Sequence, residues 1–353
     1  MKLYSNINII FTVWLASLLL ISYLGFSTLP HSGKFSNDFL SSFSNWDGGH
    51  FLAIAQKGYQ ENFQYAFFPF YPMVIKTLTQ FTNNFLLSGV LISLLSFYFG
   101  LQILYKLIIL DFDKKIALKI IAALAFFPTS FYFLTAYSEG LFFLLVVLTF
   151  YFLRTNKLFL ATIFAVLVSG TRLAGLAVVL ALILEVQLTR GINKKNWFVL
   201  FSPLGFLAYV WFLYNQTSDP FYFLTAERYW QRELVVPIFG FWDTIKNVTT
   251  PNFLTSHFNP VLDLLFAIFG LGLAIRSFRF LPISYSVYAF VSIALPLFTP
   301  TLSSIPRFLL PIFPIFILLG LIKSQFLNLF YPVITLMLLS IFTVLFFNGF
   351  WVA

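Results

Sequence analysis

The sequence predicts an all-α polytopic membrane protein with about ten or eleven transmembrane helices, and three observations predict it. Hydrophobic residues make up 60% of the 353 and charged residues 9%, against roughly half and a quarter in soluble domains. Apolar runs of about 20 residues recur along the chain, each long enough to cross a hydrocarbon core roughly 30 Å thick. The basic residues fall in small groups between these runs, as topology signals do. The net charge of +9 is therefore dispersed, not gathered into the stripe that a nucleic acid requires. Membrane lipids are expected partners and nucleic acid is not. The absence of cysteine excludes disulfides, thiolate-bound zinc and thiol catalysis.

Taken in order, the apolar runs place spans at 9–28, 85–110, 116–135, 138–153, 158–170, 172–188, 197–215, 258–275, 281–298, 307–323 and 329–350. The first lacks a basic leader and a small-residue cleavage site, so it reads as a retained helix. A cytoplasmic N-terminus places Lys2, Lys106, Lys114, Lys115, Lys119, Arg154, Lys157, Arg190, Lys194, Lys195, Arg276, Arg279 and Lys323 inside. That is a majority of the 21 Lys and Arg, as the positive-inside bias requires. The stretch 158–188 has basic flanks at both ends, which one crossing cannot put on one side. Its interruption, Ser169-Gly170-Thr171-Arg172, predicts two short helices meeting near the outer face. An arginine at such depth must face protein or a water-filled cavity, and a helix start adds the positive end of a dipole. Pairing with a carboxylate such as Glu139 accounts for Arg172 equally well.

Two long extracytoplasmic loops, 29–84 and 216–257, hold Asp38, Asp47, Glu61, Asp219, Glu227, Glu233 and Asp243, and Glu139 lies on the same face. With no internal repeat and no soluble module, the chain reads as one membrane domain, 1–353. In the first loop, 45–59 predicts a short interfacial helix: Asp47 as N-cap, Phe51, Leu52, Ile54 and Ala55 as its apolar side, Gly58 as its stop. Pro72 is placed to open the next helix. Asp47 is then either a cap or a carboxylate beside the membrane, able to take a proton from an acceptor hydroxyl.

The first loop resembles the PIG-V family of membrane mannosyltransferases. The residues carrying the resemblance are Trp46-Asp47, His50-Phe51-Leu52, Ile54-Ala55, Gly58-Tyr59 and Ala66-Phe67-Phe68-Pro69 with Pro72. They are similar to the pattern W-D-x-x-H-F-L-x-I-A-x-x-G-Y followed by A-F-F-P-x-x-P. Weaker echoes continue in Pro128-Thr129-Ser130, Tyr137-Ser138-Glu139, Thr171-Arg172, Asp219-Pro220, Arg228-Tyr229-Trp230 and Pro306-Arg307-Phe308. The resemblance implies a GT-C-type helical bundle whose two long loops contain interfacial helices and that works on the outer face. It implies transfer of mannose, without a cofactor, from a polyprenyl-phosphate sugar donor to a lipid-linked or glycan hydroxyl, with inversion. Asp47 is the matched base.

The substrate-binding candidates are Trp46, His50, Tyr59, Glu61, Glu139, Arg172, Arg228, Trp230 and Arg307. Arg172 would stabilise the departing phosphate. Arg228 and Arg232, four apart beside Trp230, would share a helical face able to hold phosphate and stack a sugar; Glu227 and Glu233 make an ion-paired surface helix an alternative. Arg307 grips phosphate or snorkels to headgroups. Glu139 suits a helix start, His50 either orients substrate or is a polar surface group, and Glu61 sits near an acidic position of the pattern. Asp111-Phe112-Asp113 imitates a metal-binding D-x-D but precedes Lys114-Lys115 in a cytoplasmic turn. His31 and His257 stand alone, so no metal cluster is expected, and no glycine loop for a nucleotide is visible. The sequons Asn215-Gln216-Thr217 and Asn247-Val248-Thr249 are short enough to arise by chance. Composition suggests a prokaryotic cytoplasmic membrane, with the ER membrane as the location if the chain is eukaryotic. The competing classes are a multi-helix transporter or flippase, for which broken helices and a membrane-depth arginine are equally good evidence, and a non-catalytic scaffold.

Overall fold

The structure, a computed structural model, describes residues 2–248 and 258–352, so His257 and Thr249 lie outside the described residues. Among the described residues the chain is helical and contains no strand. The α-helices in chain order are α1 (Lys2–Thr28), α2 (Asp47–Lys57), α3 (Phe70–Thr82), α4 (Phe85–Ile108), α5 (Lys114–Ala125), α6 (Glu139–Arg154), α7 (Leu158–Ser169) and α8 (Gly175–Arg190). They continue with α9 (Leu204–Thr217), α10 (Tyr222–Glu227), α11 (Pro237–Val248), α12 (Phe258–Phe280), α13 (Ile283–Leu297), α14 (Ile305–Phe308), α15 (Phe313–Gly320) and α16 (Gln325–Phe347).

Five segments are long and apolar enough to cross a membrane: Asn6–Thr28, Phe85–Ile108, Trp197–Thr217, Pro260–Phe280 and Leu329–Phe347. Each coincides with an expected span. Other expected spans are carried by shorter helices, and two are divided. The run at 116–135 ends as a helix at Ala125, because Pro128 lacks an N–H and restricts the residue before it; a buried 3-10 turn, Ser130–Leu134, follows. The run at 307–323 splits into α14 and α15 around Pro311 for the same reason. Asp113, second acid of the D-x-D, caps α5 by accepting the Ile116 N–H at 2.8 Å, which gives it a structural role.

The chain divides into two compact units. One comprises Met1–Gln56, Tyr71–Tyr151 and Phe316–Val352, the other Lys57–Phe70 and Phe152–Ile315. In the first, α1 packs on α16, α5 and α4. Its core is aromatic: the Trp14 and Phe133 rings lie 4.7 and 4.0 Å from that of Phe97, and Trp14 Nε1 donates to Ser130 Oγ at 3.1 Å.

In the second unit, α8 packs on α7 and α13, and α12 on α13. The expected break within 158–188 is present, with Arg172 in the turn between α7 and α8. Glycine makes that turn possible. A Cβ on Gly205 would lie 2.0 Å from Val166 O and 2.7 Å from Gly170 N, and one on Gly175 would lie 2.4 Å from Val168 O. These obstacles are backbone atoms that cannot rotate away. Gly205→Ala is therefore expected to cost about 1–3 kcal/mol, read as a lower thermal midpoint in detergent; an unchanged midpoint would show that the helices part freely.

Candidate active site

In the first unit, the chain enters α2 through a strained residue. Trp46 has φ +58°, a left-handed conformation that bulky side chains seldom adopt and that costs about 1–3 kcal/mol, so it persists only where its surroundings enforce it. Asn45 supplies the enforcement: its Nδ2 donates to Phe346 O at 2.9 Å, and its carbonyl accepts the Tyr137 hydroxyl at 2.9 Å. The Trp46 ring is held 5.1 Å from both Phe35 and Trp351, with Lys34 Nζ 5.0 Å over it. Asp47 follows as the first residue of α2, partly buried, where the helix dipole favours its negative charge. Gly58 ends the same helix at φ +75°, as expected of a stop glycine.

His50 stands one turn along α2. Burial holds its pKa below the ordinary histidine range, and the Asp47 carboxylate opposes that shift without cancelling it. Because the folded state resists the charged form, the unfolded state binds a proton first as pH falls. Stability should be full above about pH 6.5 and decline through and below it. Thermal midpoints of wild type and His50→Gln across this range should show a shallower acid decline in the variant; parallel curves would remove His50 from the effect. Glu139, first residue of α6, is buried at 1% exposure. Its charge, added to burial, pushes the Tyr71 phenol well above its usual range, and that hydroxyl donates to Gly89 O at 3.0 Å.

In the second unit, three arginines from distant parts of the sequence surround one ring. The guanidinium carbons of Arg172, Arg232 and Arg307 lie 5.6, 5.1 and 5.3 Å from the Phe308 ring centroid, within cation–π range. Arg307 is 5% exposed. Arg232 donates to Ser303 O at 3.1 Å and lies 4.0 Å from Glu227. Ser304, which opens α14, has φ +71°, a second strained residue beside a candidate group. Asp263 on α12, passed over in the sequence, is 5% exposed, faces Arg232 and accepts the Ser304 N–H. Three guanidiniums thus stand together beside Asp263 and Glu227 among the described residues, an arrangement able to hold an anion.

A family model for mannosyltransferase (PIG-V) matches residues 17–194. The chain belongs to the PIG-V mannosyltransferase family. Among solved structures, it is similar to ArnT from Cupriavidus metallidurans bound to undecaprenyl phosphate, with TM-score 0.53 and 14% identity over 92% of this chain and 62% of ArnT. At that identity the likeness shows the fold, which is GT-C; this chain spans under two thirds of ArnT's length. No protein of curated function matches it. The chain is thus an integral membrane protein of the PIG-V family with a GT-C fold.

The PIG-V match contains Asp47, His50, Glu139 and Arg172, whereas Arg232 and Arg307 lie beyond it. Tyr59, from the PIG-V pattern, and Glu61, near one of its acidic positions, both hold local structure. Tyr59 donates to Phe67 O at 2.7 Å and stacks on Tyr65 at 4.9 Å, with burial raising its phenol far above the usual range. Glu61 is exposed at the head of the 3-10 turn Asn62–Ala66, where Gln64 Oε1 accepts its N–H at 3.1 Å. The helical face expected for Arg228 and Arg232 does not form. A 3-10 turn over Arg228–Trp230 ends at Gln231 in a left-handed conformation, φ +58°, and Arg232 N–H bonds back to Glu227 O. Arg228 is left exposed and Arg232 joins the cluster. Trp230, 38% exposed, sets its ring edge-on to Phe63 and Phe67 at 6.0 Å each. Among the described residues, no group of His, Asp and Glu has the arrangement to hold a metal ion.

Proposed function

We propose that this PIG-V-family protein transfers a mannosyl residue from a polyprenyl-phosphate sugar to a hydroxyl of a lipid-linked or glycan acceptor, with inversion. The reaction takes place on the extracytoplasmic face of a prokaryotic cytoplasmic membrane, with the N-terminus in the cytoplasm. The observation that carries the reading is the convergence of Arg172, Arg232 and Arg307 on Phe308. Fixed guanidiniums stabilise phosphate charge most where it grows during the reaction, on the departing lipid phosphate. ArnT, solved with undecaprenyl phosphate, supports a donor of this lipid class.

Asp47 serves as base. Its carboxylate takes the proton of the acceptor hydroxyl as that oxygen attacks the anomeric carbon; the bond from that carbon to the phosphate oxygen breaks, and its electron pair leaves with the lipid phosphate. One displacement at one carbon inverts its configuration. The strained Trp46 turn fixes the carboxylate's position before substrate arrives, so little reorganisation remains for the reaction itself. His50, one turn along the same helix, has its charged form disfavoured by burial.

Proteoliposomes loaded with labelled polyprenyl-phosphate mannose and acceptor test the reading. Label should appear in a new glycoside with release of lipid phosphate; movement of solute or lipid without bond formation would make the protein a transporter.

A further inference from the structure

In the second unit, Asp263 stands where an acid is hard to keep. It lies early in α12, within the segment Pro260–Phe280 that is long and apolar enough to cross a membrane, and is 5% exposed. Acids at such depth are costly and are retained where they serve a polar site. Asp263 faces Arg232 and accepts the Ser304 N–H. Its Oδ1 has no hydrogen-bond partner among the described residues, so the fold leaves one oxygen of this carboxylate unsatisfied. Stability alone would favour an apolar side chain here.

What Asp263 holds is a single peptide unit. Arg232 donates to Ser303 O at 3.1 Å, and Asp263 accepts the Ser304 N–H, so the peptide between these serines is clasped at its carbonyl and at its N–H. The clasp is needed because Ser304 has φ +71°, which a serine keeps only where its surroundings enforce it. Ser304 then opens α14, where the Phe308 N–H donates to Ser304 O at 3.0 Å. α14 is a single turn, Ile305–Phe308, too short to hold its own shape. Ser304 therefore sets its direction, and with it the places of buried Arg307 and of the Phe308 ring on which Arg172, Arg232 and Arg307 converge.

We propose that Asp263 is a positioning residue for the lipid-phosphate site: by holding the peptide between Ser303 and Ser304, it fixes the turn that carries Arg307 and Phe308 into the arginine cluster. This role rests on the cluster binding the phosphate of the donor. Charge and geometry act in opposite directions here. As a negative charge beside Arg232, the carboxylate weakens anion binding; as the acceptor for Ser304, it strengthens anion binding by placing Arg307. Asp263→Asn removes the charge and keeps an acceptor oxygen, whereas Asp263→Ala removes both. Ser304→Gly makes the clasp unnecessary, since glycine adopts positive φ freely.

The experiment uses the full chain in nanodiscs, with undecaprenyl phosphate as the probe, titrated by native mass spectrometry well below each protein's thermal midpoint. Wild type and Asp263→Asn should bind within about threefold of each other, because the lost opposing charge and the weaker neutral acceptor offset. Asp263→Ala should bind about tenfold more weakly, the worth of one hydrogen bond, and adding Ser304→Gly should restore most of that loss. In transfer assays, Asp263→Ala should raise the donor KM about tenfold and move the acceptor KM by less than about twofold. Asp263→Leu, which keeps the space filled, should repeat the loss and serves where Asp263→Ala does not fold. Wild-type binding by Asp263→Ala, equal changes in Asp263→Asn and Asp263→Ala as a role in charge alone would give, or a loss that Ser304→Gly leaves in place would each overturn the positioning role. No binding by wild type would refute the lipid-phosphate reading, and this role with it.

Discussion

Asp47→Asn is expected to insert and fold like wild type and to lose transfer, with kcat falling about 10²–10⁴-fold, the usual contribution of a positioned base. The substitution keeps the shape and the hydrogen-bonding capacity of the first turn of α2, so the hydrogen bonds that anchor Asn45 and enforce the Trp46 turn stay intact. What is lost is the ability to hold a proton. Turnover at saturating donor and acceptor, measured beside the thermal midpoint, separates chemistry from folding. Wild-type turnover would leave Asp47 as a residue that only begins a helix.

Arg307→Gln is expected to raise the donor KM about 10–100-fold, in line with the loss of a charge-assisted contact, and Arg172→Gln should act in the same direction. Arg307 has little access to solvent, at 5% exposure, so its charge acts through a poorly screened environment. Kinetics with a polyprenyl-phosphate donor, combined with thermal melts, distinguish the two roles an inward arginine can have. An unchanged donor KM with a sharp loss of stability would show that the cluster only balances Asp263 and Glu227, since breaking a buried charge pair costs about 3–5 kcal/mol.

The helical membrane architecture was legible because lipid imposes the strictest pattern: apolar runs must be helices, and the five longest segments lie where those runs lie. The break at Ser169-Gly170-Thr171-Arg172 was legible because charge parity demanded it, and the stop at Gly58 because only glycine adopts that backbone cheaply. Helix lengths were less so. Hydropathy sees Phe126 to Leu134 as continuous, yet Pro128 interrupts the hydrogen-bond ladder without interrupting the apolar character. The arginine cluster was only partly legible. Spacing of four pointed to Arg228 with Arg232, on the assumption that one helix carries both, and the left-handed Gln231 at φ +58° ends that helix between them. Asp263 gave no signal, because an isolated acid in an apolar run reveals its partners only once α12, Arg232 and Ser304 are brought together. Trp46 was read as a motif residue, and nothing in its side chain announced the backbone it adopts.

The central claim is a single displacement at the anomeric carbon of a lipid-phosphate sugar, and the anomeric configuration of the product tests it most directly. Purified protein would be given polyprenyl-phosphate mannose labelled with ¹³C at that carbon, together with a glycoside acceptor. Resonances of the product should show the labelled carbon bonded to an acceptor oxygen, in the configuration opposite to the donor's, with one lipid phosphate released per bond formed. A product that retains the donor's configuration, or one that forms only when a nucleotide sugar is supplied, would contradict the account.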